Sequence, residues 1–241
     1  MGRVLSDAEI ERYADRGYHF PVRVMTEAEA AAHLARLDAF IAAGGGHRQV
    51  TPRLRGKAHR QCPPLAALIE NPRILDAVAD VLGPDVLCWA SGLFYKPPRD
   101  PGFVSWHQDA MYWGLEPDDV VTALVALTDS DAGNGAMEVL PGSQRGALLP
   151  HTETYAADDL LTRGQEIAVE VDRGRAVMLT LRAGEMSLHH VKLAHGSEPN
   201  LSDRPRVGFA ASATPLSRVP RCCAPWSSAP ATASSSWAAA G

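Results

Sequence analysis

Two side chains in one short segment could bind a metal ion together. Within residues 105–109, His107 and Asp109 are separated by a single residue. In a strand or an extended segment, side chains at positions i and i+2 point to the same side, so an imidazole nitrogen and a carboxylate oxygen can reach one point. A His-x-Asp pair by itself is more often a hydrogen-bonded surface pair. A metal site therefore needs further ligands elsewhere in the chain.

A second segment, residues 188–200, supplies such candidates. It contains His189, His190 and His195 on an apolar background. A single buried histidine is usually a satisfied core residue, whereas three histidines beside a turn, together with the His-x-Asp pair, indicate a metal centre. Two imidazoles and one carboxylate form the facial triad of non-haem Fe(II) oxygenases, but zinc also accepts this ligand set. The residue types alone leave the choice of metal open.

Arg206 begins an apolar segment 11 residues after His195. A strand-borne arginine that points into a barrel leaves a buried guanidinium, which needs an anionic partner. If no protein carboxylate matches it, a dicarboxylate cosubstrate is the natural partner, and this favours the iron oxygenase. An interior Arg–Asp ion pair is the alternative. Arg204, which precedes Pro205, is expected in the turn before the strand.

The elements that position these residues begin with helices. Ser6 and Thr26, each followed three residues later by a glutamate, fit capping boxes at two helix starts. The second helix is predicted to end at Gly44, which begins a run of three glycines. A third helix is predicted over residues 71–82, with an asparagine cap and proline at its first position.

Most of the remaining chain is predicted to be β. Short apolar segments separated by Pro, Gly, Asp and Asn are typical of a β-sandwich or barrel. Helices first, followed by about eight strands, indicate an α+β protein with a mainly β core. The strands are predicted at residues 86–90, 92–96, 120–127, 136–140, 166–171, 176–181, 187–190 and 206–210.

The composition excludes several classes of protein. The chain has 241 residues, a 46% hydrophobic fraction and a formal net charge of −5, which are typical of one ordinary globular domain. No clustered positive charge supports a nucleic-acid partner, and no apolar run is long enough to cross a membrane. Four cysteines without a C-x-x-C pair predict a reducing, cytoplasmic location.

The C-terminal tail differs from the rest of the chain. No acidic residue follows Asp203, and Ala, Ser and Pro fill 17 of the 28 positions in residues 214–241. Such a segment buries little apolar area to offset its ordering entropy. We therefore expect a domain over residues 1–213 and a disordered or aberrant tail over 214–241, with order declining from about residue 211. A catalytically impaired metal-binding protein is the corresponding alternative function.

Taken together, these motifs resemble the phytanoyl-CoA dioxygenase-like family of Fe(II)/2-oxoglutarate-dependent oxygenases. The resemblance extends from about Thr26 to Ala210. It implies a double-stranded β-helix (a jelly roll, or cupin-like fold) with flanking N-terminal helices. The matching residues are Lys96-Pro97-Pro98, His107-Gln108-Asp109, Asn134-Gly135, Val139 to Ser143, His195-Gly196-Ser197 and Arg206.

The resemblance also implies roles for individual residues. Arg206 would bind the distal carboxylate of 2-oxoglutarate, with Ser197 as its hydrogen-bonding neighbour. Gln108 and Lys57 would contribute to the cosubstrate pocket. His189 and His190 match no ligand position, which leaves them core or supporting hydrogen-bonding roles. The implied Fe(II) ligands are His107, Asp109 and His195.

The activity implied by the family is oxidation of a small molecule. Fe(II), 2-oxoglutarate and O2 would be used to hydroxylate, or otherwise oxidise, a small metabolite or natural-product intermediate, with release of succinate and CO2. No basic cluster around the motif indicates a polyphosphate handle on the substrate. A zinc or cupin-type metalloenzyme is an alternative, although it leaves Arg206 without a role. Aromatic and methionine side chains flanking His107 either line a substrate pocket or pack at its mouth; these are Trp106, Met111, Tyr112 and Trp113.

Overall fold

The N-terminal part of the protein is helical, as the sequence predicts. A computed structural model describes residues 4–113, 115, 118–161, 163–218 and 226–227. Three short α-helices occur in addition to the predicted three, and the last of them directly follows residues 105–109. The α-helices are α1 (Asp7–Arg16), α2 (Glu27–Ala43), α3 (His47–Val50), α4 (Pro63–Ile69), α5 (Pro72–Leu82) and α6 (Ala110–Trp113).

The predicted helix caps form in the structure. The Ser6 amide and hydroxyl both donate to Glu9, at 2.8 Å each. The Thr26 amide donates to Glu29 Oε2 at 2.7 Å, and the Glu29 amide donates back to Thr26 Oγ1 at 3.2 Å. The Asn71 side chain accepts from the Arg73 amide at 2.9 Å. These bonds satisfy backbone groups that the first turn of a helix leaves unpaired.

The strands form antiparallel sheets. A six-stranded sheet has the order β1-β9-β4-β11-β2-β12, a four-stranded sheet the order β3-β10-β5-β8, and β6 and β7 form a separate ribbon. The strands are β1 (Tyr18–Arg23), β2 (Asp85–Lys96), β3 (Val104–His107), β4 (Val121–Ala126), β5 (Met137–Val139), β6 (His151–Glu153), β7 (Gln165–Ile167), β8 (Val177–Met178), β9 (Glu185–His190), β10 (His195–Ser197), β11 (Arg206–Pro215) and β12 (Trp226–Ser227).

The two faces of the six-stranded sheet have different surroundings. Alternate β11 residues, from Val207 through Phe209 to Ala213, belong to a large apolar cluster that also contains buried residues of α2, α4 and α5. Their neighbours Arg206, Ala210 and Ser212 line a cavity on the opposite face. The alternation of strand side chains thus places helices on one face and the cavity on the other. This arrangement confirms the predicted jelly-roll core with flanking helices.

Several strand boundaries differ from the predictions. β1 was not predicted, and residues 86–90 and 92–96 belong to one continuous strand, β2. The predicted strands over 166–171 and 176–181 shrink to β7 and β8. Gly135 has a left-handed φ of 76°, and the strands before and after it, β4 and β5, lie in different sheets.

The expected loss of order from residue 211 is wrong for residues 211–215. β11 continues to Pro215 and pairs with β2 and, through Ala213, with β4. Ala211 and Ala213 are buried. In a central strand, two hydrogen-bonded neighbours and the packing helices supply the stability, so small side chains suffice. The predicted boundary between 213 and 214 falls inside this strand, and most of the predicted tail lies outside the described residues.

None of the helices that the structure describes combines the length and the apolar character needed to cross a membrane.

Candidate functional site

Two histidines face each other across neighbouring strands of the small sheet. His107 ends β3, and His195 begins β10; the two residues are direct partners in the antiparallel register. Their ring centroids lie 4.2 Å apart. Both side chains are buried, at 2% and 6% relative exposure. Sheet pairing therefore brings together two imidazoles that are far apart in the sequence.

Asp109 completes a three-residue group. It follows β3, and its Oδ1 lies 3.4 Å from His107 Nε2. One ligand atom from each of His107, Asp109 and His195 lies within 4.8 Å of the other two. The sequence-based expectation that these three side chains converge therefore agrees with the geometry.

Backbone carbonyls orient both imidazoles in the same way. Nδ1 of His107 lies 2.8 Å from the Ser105 carbonyl oxygen, and Nδ1 of His195 lies 2.9 Å from the Leu193 carbonyl oxygen. A carbonyl oxygen can only accept, so each Nδ1 carries the hydrogen. Nε2 of each ring then keeps a lone pair, which is the form that binds a metal.

The ionisation states suit a cation. Burial lowers the pKa of His195 to about 3, and the neighbouring imidazoles add to this effect. Burial acts to raise the pKa of Asp109, but the close contact with His107 and the charges that the adjacent histidines acquire at acid pH outweigh it and hold that pKa at about 2. At neutral pH the group thus offers a neutral His195 and a carboxylate. Two nitrogens and one oxygen on one side fit Fe(II) with open coordination positions.

A cavity of about 250 Å³ opens beside the triad, between the two main sheets. Phe94, Leu124, Met137, Leu160 and Trp113 give it largely apolar walls. The charged side chains that line it are Arg55, Lys57, Asp109 and Arg206. A small organic molecule could therefore reach the three candidate ligands.

Arg206 lines this cavity from β11 and is only 4% exposed. Burial lowers the pKa of its guanidinium to about 10, so the group remains charged at neutral pH. Among the described residues, no carboxylate forms an ion pair with it, and the interior Arg–Asp alternative therefore has no support there. A buried cation without a protein partner suits an anionic ligand.

Ser197 lines the same cavity as Arg206, and its hydroxyl contacts a buried lysine. Lys96 Nζ donates to Ser197 Oγ at 2.8 Å and to the Glu198 carbonyl oxygen at 2.5 Å. Lys96 pairs with Arg206 in the β2–β11 register and is fully buried. Burial, reinforced by Arg206, lowers the pKa of Lys96 to about 7. Sequence reasoning assigned Lys96 no role, although a lysine ending the apolar run of β2 was an available signal.

Gln108 does not face the cavity, contrary to the expected cosubstrate contact. Its neighbours His107 and Asp109 point inward, so its side chain points the other way. Gln108 Nε2 donates to the Lys192 carbonyl oxygen at 2.6 Å, and its Oε1 accepts from the Leu149 amide at 2.8 Å. His151 Nε2 accepts from the Gln108 amide at 3.1 Å. These bonds hold the segment that carries the two ligands.

Lys57 lines the cavity at its exposed rim. Its backbone is left-handed, with φ of 50°, and its Nζ lies 5.6 Å from the centroid of the Trp89 ring. This position is compatible with the expected contact to a cosubstrate or with contact to another anion.

The other histidines have separate surroundings. His189 lines the cavity, with its ring centroid 4.9 Å from that of His195, and burial lowers its pKa to about 4. His190 Nδ1 instead accepts from the Lys192 amide at 3.1 Å. Neither belongs to the metal-binding group. Of the aromatic and methionine residues near His107, Tyr112 and Trp113 line the cavity, Trp106 packs in a separate apolar cluster and Met111 is exposed.

Comparisons with known sequences identify a matching family and several relatives. A profile described as Phytanoyl-CoA dioxygenase (PhyH) matches residues 1–208. A probable alpha-ketoglutarate-dependent hypophosphite dioxygenase of Stutzerimonas stutzeri is 33% identical over 153 residues, which cover 61% of this chain and 52% of that protein. An ectoine dioxygenase of Nocardia farcinica is 32% identical over 165 residues, which cover 62% of this chain and 55% of that protein. The chain spans about half the length of the curated relatives it matches.

Solved structures show the same architecture. The apo form of ThoJ, a non-heme monooxygenase, has a TM-score of 0.75 and 37% identity, with 86% of this chain and 76% of that chain covered. EvdO2 from Micromonospora carbonacea var. aurantiaca, in complex with 2-oxoglutarate, has a TM-score of 0.71 and 24% identity, with 87% and 90% covered. The second similarity supports the fold.

Proposed function

The chain belongs to the phytanoyl-CoA dioxygenase family, and from this premise we propose that it is an Fe(II)- and 2-oxoglutarate-dependent dioxygenase. It hydroxylates, or otherwise oxidises, a small metabolite or natural-product intermediate. For hydroxylation, substrate, 2-oxoglutarate and O2 give hydroxylated substrate, succinate and CO2. The observation that carries the proposal is that one cavity contains both the His107–Asp109–His195 group and the unpaired Arg206.

The three ligands hold the metal and the protein sets its surroundings. His107, Asp109 and His195 bind Fe(II), which when present supplies the redox chemistry that couples decarboxylation of 2-oxoglutarate to oxidation of the substrate. The carbonyls of Ser105 and Leu193 keep both imidazoles in the ligating tautomer. The apolar walls restrict water near the reacting groups.

The cosubstrate is bound by the wall of the cavity that contains Arg206. Arg206 binds the distal carboxylate of 2-oxoglutarate through a charge-assisted hydrogen bond. When Lys96 is protonated it donates to Ser197 Oγ, and the Ser197 hydroxyl hydrogen is left to donate to the same carboxylate. Lys57, at the rim, contacts the cosubstrate in this proposal, whereas Gln108 acts by positioning the ligand segment.

Two alternatives receive less support. A zinc or cupin-type enzyme could use the same three ligands, but it would leave Arg206 without a function. The catalytically impaired alternative depends on loss of order from about residue 211, and β11 continues to Pro215. A cytoplasmic location belongs to the same proposal and is supported by the free thiols of Cys62 and Cys88.

Succinate formation tests the proposal. The purified protein, supplied with Fe(II), 2-oxoglutarate and O2, should form succinate, and anaerobic addition of Fe(II) and 2-oxoglutarate should produce a visible charge-transfer band. Replacement of Fe(II) by Zn(II) is the control and should abolish both signals. Absence of both the band and succinate with Fe(II) would refute the proposal.

A further inference from the structure

A second arginine lines the same cavity without a protein partner. Arg55 ends a 3-10 turn over Thr51–Arg55 and is half-buried. In the described part of the chain, its guanidinium forms no hydrogen bond and no ion pair. Its side chain is partly shielded from water, and this burial lowers its pKa. A desolvated guanidinium without an anion is an unfavourable arrangement unless a ligand completes it.

The backbone around Arg55 is held in place. Leu54 is buried, and Gln61 Nε2 donates to the carbonyls of Arg53 and Gly56 at 3.2 and 3.0 Å. A Cβ atom added at Gly92 would lie 3.1 Å from the Arg55 carbonyl oxygen, so glycine permits this close approach to β2. The position of Arg55 at the cavity is therefore built into the fold.

The two carboxylates whose charges act on Arg55 form hydrogen bonds with other groups. The charges of Asp159 and Asp100 act to raise the pKa of Arg55, but neither forms an ion pair with it. Asp159 accepts from Ser105 Oγ at 2.7 Å and from the Leu161 amide at 2.9 Å. Asp100 accepts from the Gly102 amide at 2.6 Å.

The charges in the filled cavity favour an anionic substrate. Fe(II) and the 2-oxoglutarate dianion cancel each other, so three lining cations, Arg55, Lys57 and Arg206, face the single carboxylate of Asp109. With Arg206 and Lys57 directed to the cosubstrate, Arg55 is left without a counter-ion. Lys57 is exposed to water, whereas Arg55 is half-buried, so Arg55 gains more from a bound anion.

Resting on the proposed function, we propose that Arg55 binds an anionic oxygen group, a carboxylate or a phosphate, of the prime substrate. The planar guanidinium can bind such a group with two hydrogen bonds. Leu160, Leu161 and Trp113 line the same cavity and offer apolar contact to the rest of the molecule. The substrate class is thus a small organic acid or phosphate ester with an apolar body.

Arg53 provides a matched control for the test. It lies two residues before Arg55 on the same 3-10 turn, its side chain is exposed and it does not line the cavity. Arg55→Met, Arg55→Lys and Arg53→Met would be titrated with phenylacetate, with its neutral analogue phenylacetamide and with inorganic phosphate. Protein loaded with Ni(II) and 2-oxoglutarate would be used, and binding would be followed by tryptophan fluorescence. This measurement requires no turnover, so its result is separate from that of the succinate test.

Wild type and Arg53→Met should bind phenylacetate at least about tenfold more tightly than phenylacetamide, because a hydrogen bond to a charged group contributes that much. Arg55→Met should lose this preference and also bind phosphate more weakly. Arg55→Lys should retain part of the preference for phenylacetate. Equal binding of acid and amide by wild type would overturn the proposal. So would an Arg55→Met variant that unfolds at lower temperature but keeps the preference for the acid.

Discussion

At the scale of single residues, the site depends on side chains whose buried charges or lone pairs have no partner in the protein. The carbonyls of Ser105 and Leu193 direct the Nε2 lone pairs of His107 and His195 towards one point. Arg206 places a cation at the same cavity. Such unsatisfied groups destabilise the empty protein and gain free energy when a ligand binds.

The roles of two arginines near β11 can be separated. Arg206→Met should raise the KM for 2-oxoglutarate about 10- to 100-fold, since it removes a charge-assisted hydrogen bond to a carboxylate. Arg204 is exposed and binds Asp131 at 2.7 Å, as expected for a turn residue. Arg204→Met should therefore leave that KM within about twofold of wild type. Equal effects of the two substitutions, measured by succinate formation, would contradict the assignment.

The buried Lys96 should make stability depend on pH. Its pKa is about 7 in the folded protein, chiefly because of burial, and about 10.4 in the unfolded chain. Between these values the unfolded chain binds more protons, so the free energy of unfolding rises with pH. Relative to Lys96→Met, wild type should gain roughly 4 kcal/mol over this range. Urea unfolding at pH 6 to 10 measures the difference, and a constant difference would contradict the buried position.

At the scale of elements, β11 contributes residues both to the cavity and to the core beneath the helices. Its inward residues line the cavity, and its outward residues pack against the helical layer. Ala211 and Ala213 are buried where the strand is paired on both sides. The small side chains therefore belong to close packing between sheet and helices, and the strand is stable despite its low content of large apolar residues.

Enlarging one of these alanines tests that packing. Ala211→Leu should lower the free energy of unfolding by about 1 to 3 kcal/mol, because added methylenes strain a filled core. Ala157 is exposed in a loop, and Ala157→Leu should change the free energy of unfolding by less than about 0.5 kcal/mol. Chemical denaturation measures both values. An Ala211→Leu variant as stable as wild type would indicate that this part of β11 is loosely packed.

At the scale of the whole molecule, the two sheets contribute different parts of the site. His107 and His195 lie in the four-stranded sheet, and Arg206 lies in the six-stranded sheet. A 2-oxoglutarate molecule bound to the metal and to Arg206 would bridge the two sheets. Binding to the folded state alone stabilises the fold according to ligand concentration.

Because 2-oxoglutarate would contact both the metal and Arg206, the metal and the cosubstrate should each raise the melting temperature by a separate increment. At a free concentration of 100 times Kd, 2-oxoglutarate should add about 2.7 kcal/mol to the metal-loaded protein, which raises the melting temperature by about 5 to 10 °C for a chain of this size. At the same concentration of 2-oxoglutarate, Arg206→Met should lose at least about half of this increment and keep the increase due to Fe(II). Anaerobic calorimetry measures both steps. An unchanged increment in the variant would place the cosubstrate elsewhere.

The local features of this protein were predictable from the sequence. The capping residues Ser6 and Thr26 act within one helical turn, and the His107–Asp109 spacing acts within one extended segment. The resemblance to the family singled out His195 among three candidate histidines and implied the role of Arg206. In each case, the information lies in residue type and short spacing, which determine backbone conformation and the direction of a side chain.

Only the tertiary structure decided which of these groups lack partners. The register of β3 and β10 brings His195 against His107, and the β2–β11 register buries Lys96 behind Ser197. Gln108 turns from the cavity to backbone groups, whereas Arg55 turns out to line it. Burial and pairing depend on contacts between segments far apart in the chain. A sequence pattern specifies the type and spacing of a charged residue. The packed sheets determine whether water, another protein group or a ligand compensates its charge.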